Sequence, residues 1–359
     1  MNCCVECFCD SEIRSIIKGH NKTGNCDFCG AVATNIYDTN DEERILSELL
    51  YGLVSIYSTP DSLDSSFPQE RFKPLANILY KDWYIFNLDP DIIQLLVKEI
   101  CNDKYNEYPE LFESPVCLKQ LYDEEYLNNN SLLKSYTWDH FVNEIKTTNR
   151  FHLNYINTKV LKLFIDAAKV SYRTGDTFYR ARISTDKNGF SPDKMGAPPL
   201  ISAKAGRVNA EGISVLYLAD SIDTVVYEVR AGRYDYLTIG TFELQEDIEV
   251  VSLDSLKSVS PFLSDGGITQ HAVNLAHLER LSQEVARPLR RYDSNLDYLP
   301  TQYFSDFIKS QKGVSGITYR SAMAIEGVNL AAFTPSCFRC VETQVLEVTD
   351  LQYRWEVIS

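Results

Sequence analysis

Near Arg173 the spacing of apolar residues changes from that of helices to that of strands, and this sets which folds the chain can adopt. Ahead of it, DEERILSELLYGLVSIY from Asp41 places Ile45, Leu46, Leu49, Leu50, Leu53 and Val54 at helical spacing, with acids in the first turn of the expected helix. Asp89-Pro90 opens a second helix over DIIQLLVKEIC. A third is expected from Tyr136 to about Thr147, with Trp138, Phe141 and Ile145 on one face, and a fourth from about Asn157 to Val170. The stretch Tyr57 to Phe67 reads as a loop. After the turn RTGD, the runs TFYRARI, SVLYLA, YLTIGTFEL, EVVSL, GITYRS and NLAAF are strand-like. Two helices interrupt them, one after Ser221 and one at Tyr303–Lys309. With 359 residues, more than one compact core usually holds, the expected class is α+β. It comprises a cysteine-rich tip over 1–35, a helical domain over 36–169 and a β-rich domain over 170–359.

A net charge of −15 opposes general nucleic-acid binding, which needs clustered Lys and Arg. The N-terminal MNCCVECFCDSE has no basic stretch leading into an apolar run, and no apolar stretch nears the ~20 residues of a membrane span. The expectation is a cytoplasmic protein without membrane association. Its ten cysteines then call for metal or burial rather than disulfides.

Cys4-x2-Cys7 and Cys26-x2-Cys29 form two hooks, each able to bring two thiolates to one ion from a tight turn. Four thiolates suit zinc or an iron–sulfur centre, and a closed set without other redox features favours structural zinc. Cys3, Cys9 and His20 leave the ligand set open, because Cys9 or His20 can replace a hook residue. Cys337-x2-Cys340 has no second hook nearby and reads as ordinary thiols close to a strand. Arg14 and His20 have the spacing of some ribonuclease pairs, but they lie inside the cysteine cluster and read as coincidence. His271 and His277 can share a helix face in a solvated or core role.

In FYRARI, alternation puts Phe178, Arg180 and Arg182 on one face. Taken alone, this fits an edge strand with its arginines in solvent. From Gly206 to Arg230, GRVNAEGISVLYLADSIDTVVYEVR, a turn leads to a short strand and then to a helix capped by Asp220 or Ser221. The helix's apolar stripe is Ile222, Val225, Val226 and Val229, and Glu228 flanks that stripe, as a residue at the rim of a cleft would. Alone, Glu228 is an ordinary surface glutamate and Tyr217 an ordinary core tyrosine.

FYRAR, the Gly206–Arg230 segment, LPTQYFSDFI and GITYRSAMAIEGVNLAAF occur in this order, and together they closely resemble the RES domain family over roughly residues 170–350. The resemblance implies a fold similar to diphtheria-toxin-like ADP-ribosyltransferases. It also implies an NAD-degrading toxin that splits the nicotinamide–ribose bond, with water or phosphate as acceptor, and an antitoxin or regulatory partner. The family's arginine falls on Arg180, its turn on Gly206, Arg207, Val208 and Asn209, its tyrosine on Tyr217, its glutamate on Glu228, its serine on Ser321 and its later asparagine on Asn329. Val208 stands where an aromatic is common. The insertion between Glu228 and Ser321, including ARPLRRYD, is long. The N-terminal region is similar to the HEPN-like domain found ahead of some RES domains. A zinc tip on a helical bundle is expected to serve a regulatory or assembly role, and a homo-oligomer is expected.

The residue chemistry suits NAD+ as substrate. Arg180 or Arg207 can grip pyrophosphate oxygens, and Arg180 is the stronger match. Tyr217 can stack on the nicotinamide cation, worth on the order of 1 kcal/mol. Glu228 can stabilise charge growing at C1′ toward the transition state, and can orient or deprotonate an attacking water. Ser321 can bond the ribose or the amide. No GxGxxG follows a strand, which disfavours a Rossmann oxidoreductase. Two alternatives stay open: transfer of ADP-ribose to a macromolecule, and a non-catalytic zinc-tipped binding module.

Overall fold

The helical spacing ahead of Arg173 does form helices in the computed structural model, which describes residues 1–263, 266–287, 294–324, 326–351 and 355. Helix Pro90–Ile100 shows why: proline occupies the first turn, where its missing N–H costs nothing, and Ile93, Leu96, Val97 and Ile100 bury one stripe. The helix expected from Asp41 begins at Ile45, because Arg44 takes a left-handed φ of 53° and breaks the turn, leaving the acids outside. The fourth expected helix spans Thr158–Ala167, and Val170 belongs instead to a strand.

The chain forms two units, each discontinuous in sequence. The first comprises residues 1–138, 154–167 and 255–279. Strands β1 (Asn2–Cys4), β2 (Thr23–Gly24) and β3 (Thr34–Asp38) make a small sheet in the order β1-β3-β2, and β4 (Lys73–Pro74) pairs with β5 (Pro115–Val116). Phe8, Ile13, Leu46, Leu50, Leu53 and Trp83 share one core with the helices.

The second unit comprises residues 139–153, 168–254 and 280–359. It is built on an eight-stranded sheet in the order β13-β9-β7-β8-β12-β11-β10-β6. The strands are β6 (Lys169–Tyr172), β7 (Thr177–Ser184), β8 (Leu216–Ala219), β9 (Tyr236–Leu244), β10 (Ile248–Ser252), β11 (Val314–Arg320), β12 (Val328–Ala332) and β13 (Phe338–Glu347). All neighbours are antiparallel except β10 and β11, which run parallel. The class is therefore α+β.

The edge-strand reading of FYRARI is overturned. Strand β7 is internal, paired along its length with β9 from Thr177↔Glu243 to Ser184↔Tyr236. Its arginines are satisfied by backbone: Arg180 donates to the carbonyls of Met195 and Gly196, and Arg182 to that of Lys194. On its other side β7 meets β8 at one pair, Tyr179↔Ala219, so the sheet opens beyond Tyr179. Helices at Gly267–Ala286 and Leu299–Lys309 lie in the long insertion, one more than the sequence suggests, and residues 288–293 of ARPLRRYD lie outside the described residues.

Candidate active site

The opening between β7 and β8 borders a cavity of about 320 Å³ within the second unit. The short strand β8 is followed by helix Ile222–Glu228, whose start is fixed twice. Ser221 Oγ accepts from the Thr224 N–H, while Asp220 accepts from the Thr224 hydroxyl and from the Val328 N–H of β12. Ile222, Val226 and Val229 pack with Val225 on Ala181, Ala219, Leu237 and Ile239. That packing brings Glu228 to the cavity wall at the helix's last residue.

Two donors hold its carboxylate. Ser321 Oγ donates to Oε1 at 2.6 Å and Asn329 Nδ2 donates to the same oxygen at 2.8 Å. The serine hydroxyl also accepts from the N–H groups of Met323 and Ala324, at 3.0 Å each. Its acceptor sites are thus taken, and its one proton is directed at Glu228. Both bonds fall on Oε1, and Glu228 lines the cavity.

The arginine turn faces this carboxylate site and is held from behind. Gly206 N–H donates to the Asn209 carbonyl at 2.9 Å, and Gln302 Nε2 donates to the carbonyls of both Gly206 and Asn209 at 2.8 Å. Thr301 donates to the Arg207 carbonyl. Only glycine fits at 206, since a Cβ there would meet the Tyr217 hydroxyl and the Asn209 side chain at 2.6 Å. Tyr217 donates to Asn209 Oδ1 at 2.6 Å, and the buried Asn209 amide is satisfied in turn by the carbonyls of Lys204, Ala210 and Ile213. Arg207 donates to the carbonyls of Val285 and Ala286 at 3.1 Å, where the helix Gly267–Ala286 ends and a cation is favoured.

The electrostatics suit a guarded, partly dry site. Burial, with Arg182 adding to it, draws Arg180 down to about 10, so the guanidinium still holds its charge at neutral pH. Burial raises the Tyr217 and Tyr319 hydroxyls far above the usual tyrosine range and keeps both neutral donors.

Of the residues singled out in the sequence, Arg180, Arg207, Tyr217, Glu228 and Asn329 line the cavity. Ser321 and Asn209 are not among the lining residues; they stand behind it, bonded to Glu228 and Tyr217. Tyr298 and Tyr319 line it without having been singled out. Alternation along β11 could have found Tyr319, which shares a face with Ser321 two residues on. No sequence signal marks Tyr298.

In the first unit, Cys4, Cys7, Cys26 and Cys29 place their sulfurs within 4.8 Å of one another, three of them buried. Cys4 Sγ lies 3.8 Å from Cys7 and 3.4 Å from Cys29, and Cys7 lies 3.4 Å from Cys26. A tetrahedral zinc with bonds of about 2.3 Å needs sulfurs about 3.8 Å apart, so the donor set fits. The N–H groups of Phe28 and Cys29 donate to Cys26 Sγ, as a metal-bound thiolate requires. Cys3 turns instead to the Tyr37 carbonyl, and His20 packs edge-on against Tyr37. Arg14 has a structural task, donating to the carbonyls of Val5 within the first hook and Phe8 just after it. Cys337 bonds Glu246 and Cys340 bonds the Glu342 carbonyl, as separate thiols. His271 is buried against Trp83 and Phe164.

Comparison with known proteins places the span that carries this cavity in a family. The RES domain model matches residues 177–356, half of the chain. No curated protein matches. Among solved structures, the crystal structure of the M. tuberculosis MbcT–MbcA toxin–antitoxin complex is similar at 13% identity, covering 53% of this chain and 91% of that one, with a TM-score of 0.29.

Proposed function

This chain belongs to the RES domain family, and we propose that it degrades NAD+ by cleaving the nicotinamide–ribose bond, as a toxin or defence effector. The observation that supports this reading most is the Glu228 carboxylate, fixed on Oε1 by Ser321 and Asn329 beside two arginines. In the proposed mechanism Arg180, with Arg207, binds the pyrophosphate, and Tyr217 packs on the nicotinamide ring. The C1′–N bond breaks with its electron pair leaving on nicotinamide, and Glu228 stabilises the positive charge that develops on the ribose. Water then adds its oxygen to C1′ and releases a proton toward Glu228; inorganic phosphate adds the same way in the phosphorylase variant. Ser321 and Asn329 act as positioning residues, since both reach the reaction through Glu228.

The experiment is incubation of the full chain with NAD+, with and without phosphate, and separation of the products. Free nicotinamide with ADP-ribose, or with its 1″-phosphate, is expected. NAD+ that stays intact would overturn the reading, and label retained on a macromolecule would replace it with transfer.

For the first unit the proposal is a regulatory or assembly role, serving a homo-oligomer or an antitoxin-like partner, with Cys4, Cys7, Cys26 and Cys29 holding one structural zinc. Metal analysis of chelator-free protein should find one zinc per chain, and Cys26→Ser should lose it. A metal-free protein with an intact tip would remove the zinc assignment.

A further inference from the structure

A second cavity, of about 380 Å³, lies wholly within the first unit. Its floor is apolar, built from Ile78, Val116, Cys117, Leu118 and Val273, all buried. The chain constructs it from three places. The β4–β5 ladder sets Lys73 opposite Val116, two backbone bonds of 2.9 Å bridge Cys117 to Ser58, and helix Gly267–Ala286 presents Ala272, Val273, Ala276 and Glu279 along one face.

The lining also carries seven charged residues. Four are cations: Arg71, Lys73, Lys81 and Lys257. Three are carboxylates: Glu70, Asp82 and Glu279. The Arg71 guanidinium stands 5.4 Å over the Tyr122 ring and the Lys257 ammonium 5.1 Å over the Tyr84 ring. Arg71, Lys73 and Lys81 have no ion-pair partner within 4.0 Å among the described residues. That is informative in a chain with 50 acidic and 35 basic residues, where carboxylates to pair with are in excess. Burial raises the Asp82 carboxyl while Lys73 draws it down, so the two groups sense each other near this cavity.

Each part of the lining excludes a class of ligand. A small inorganic anion leaves the apolar floor and the tyrosines unused. A fatty acid sets its chain against Asp82 and Glu279. We infer that this cavity is a second ligand site, for an anion of mononucleotide size that carries a flat ring. Its phosphate pairs with Arg71, Lys73 and Lys81, its ring lies on the floor between the tyrosines, and Asp82 and Glu279 accept from sugar hydroxyls. The site stands apart from NAD+ cleavage and does not depend on it.

Calorimetric titration of the full chain with AMP, adenosine, inorganic phosphate and octanoate tests this. AMP should bind saturably and at least about tenfold more tightly than each of the other three. The double variant Arg71→Glu, Lys73→Glu changes two exposed side chains and should weaken AMP by at least about tenfold, whereas Arg180→Ala should change it by less than about twofold. Lys81→Glu, also at an exposed position, should weaken AMP on its own. Absence of saturable AMP binding, adenosine or octanoate binding as tightly as AMP, or AMP binding lost only through Arg180→Ala would each overturn the assignment.

Discussion

The two cavities hold their cations in opposite ways. In the RES unit, Arg180 and Arg207 both spend guanidinium hydrogens on backbone carbonyls, and the glutamate lining the same cavity is fixed by two further donors. In the first unit, Arg71, Lys73 and Lys81 have no ion-pair partner within 4.0 Å among the described residues and stand around an apolar floor. The difference separates two tasks. A transition state is stabilised by groups that need no reorganisation when charge develops, so their partners must already be in place. A ligand that is only bound can itself complete the pairing of groups left incomplete without it.

The comparison can be sharpened from the RES side first. Ser321→Ala and Asn329→Ala each remove one tether from Glu228, and each should lower kcat by about 10- to 100-fold while KM moves by less than about threefold. The double variant should cost less than the product of the two, because both act through one oxygen. A rise in KM at constant kcat would instead show that these side chains touch the substrate.

Acid should act on the cavity of the first unit and spare that of the RES unit. The helix that gives Val273 to the floor also carries His271 and His277, each lowered by burial from 6.5 to about 4. Between those values the unfolded chain binds more protons than the folded one, so this contribution is complete above about pH 6.5 and is lost as pH falls toward 4. The loss approaches about 3 kcal/mol for each histidine. Hydrogen exchange, corrected for its intrinsic pH dependence, should accelerate in residues 267–279 between pH 7 and 5 and change little in β11. Equal protection at both pH values would contradict this.

Much of the RES unit was legible because its strands alternate cleanly and its helix caps are local. The stripe of Ile222, Val225, Val226 and Val229 marks Glu228 as a rim residue in the sequence itself. What escaped depended on partners far away in sequence. The arginines of β7 looked like edge residues because their acceptors, the carbonyls of residues 194–196, leave no mark in the side-chain pattern. Strand β13 is an edge strand whose outer positions are polar, so FRCVETQVLE shows little apolar periodicity. The helix Gly267–Ala286 buries Gln270, His271 and Asn274, and these polar residues interrupt its stripe. Asn274 is there to accept from the Leu132 N–H and to donate to the Asn130 carbonyl, a task set by the fold. The task of Ser321 was equally hidden, since its bond to Glu228 spans 93 positions.

The central claim is that the tethered Glu228 carboxylate carries cleavage, and Glu228→Gln tests it most directly because it keeps shape and removes charge. Nicotinamide release from NAD+ under single-turnover conditions should fall at least about a thousandfold, with the melting temperature unchanged to within about 3 °C. Release within about tenfold of the parent chain would contradict the account.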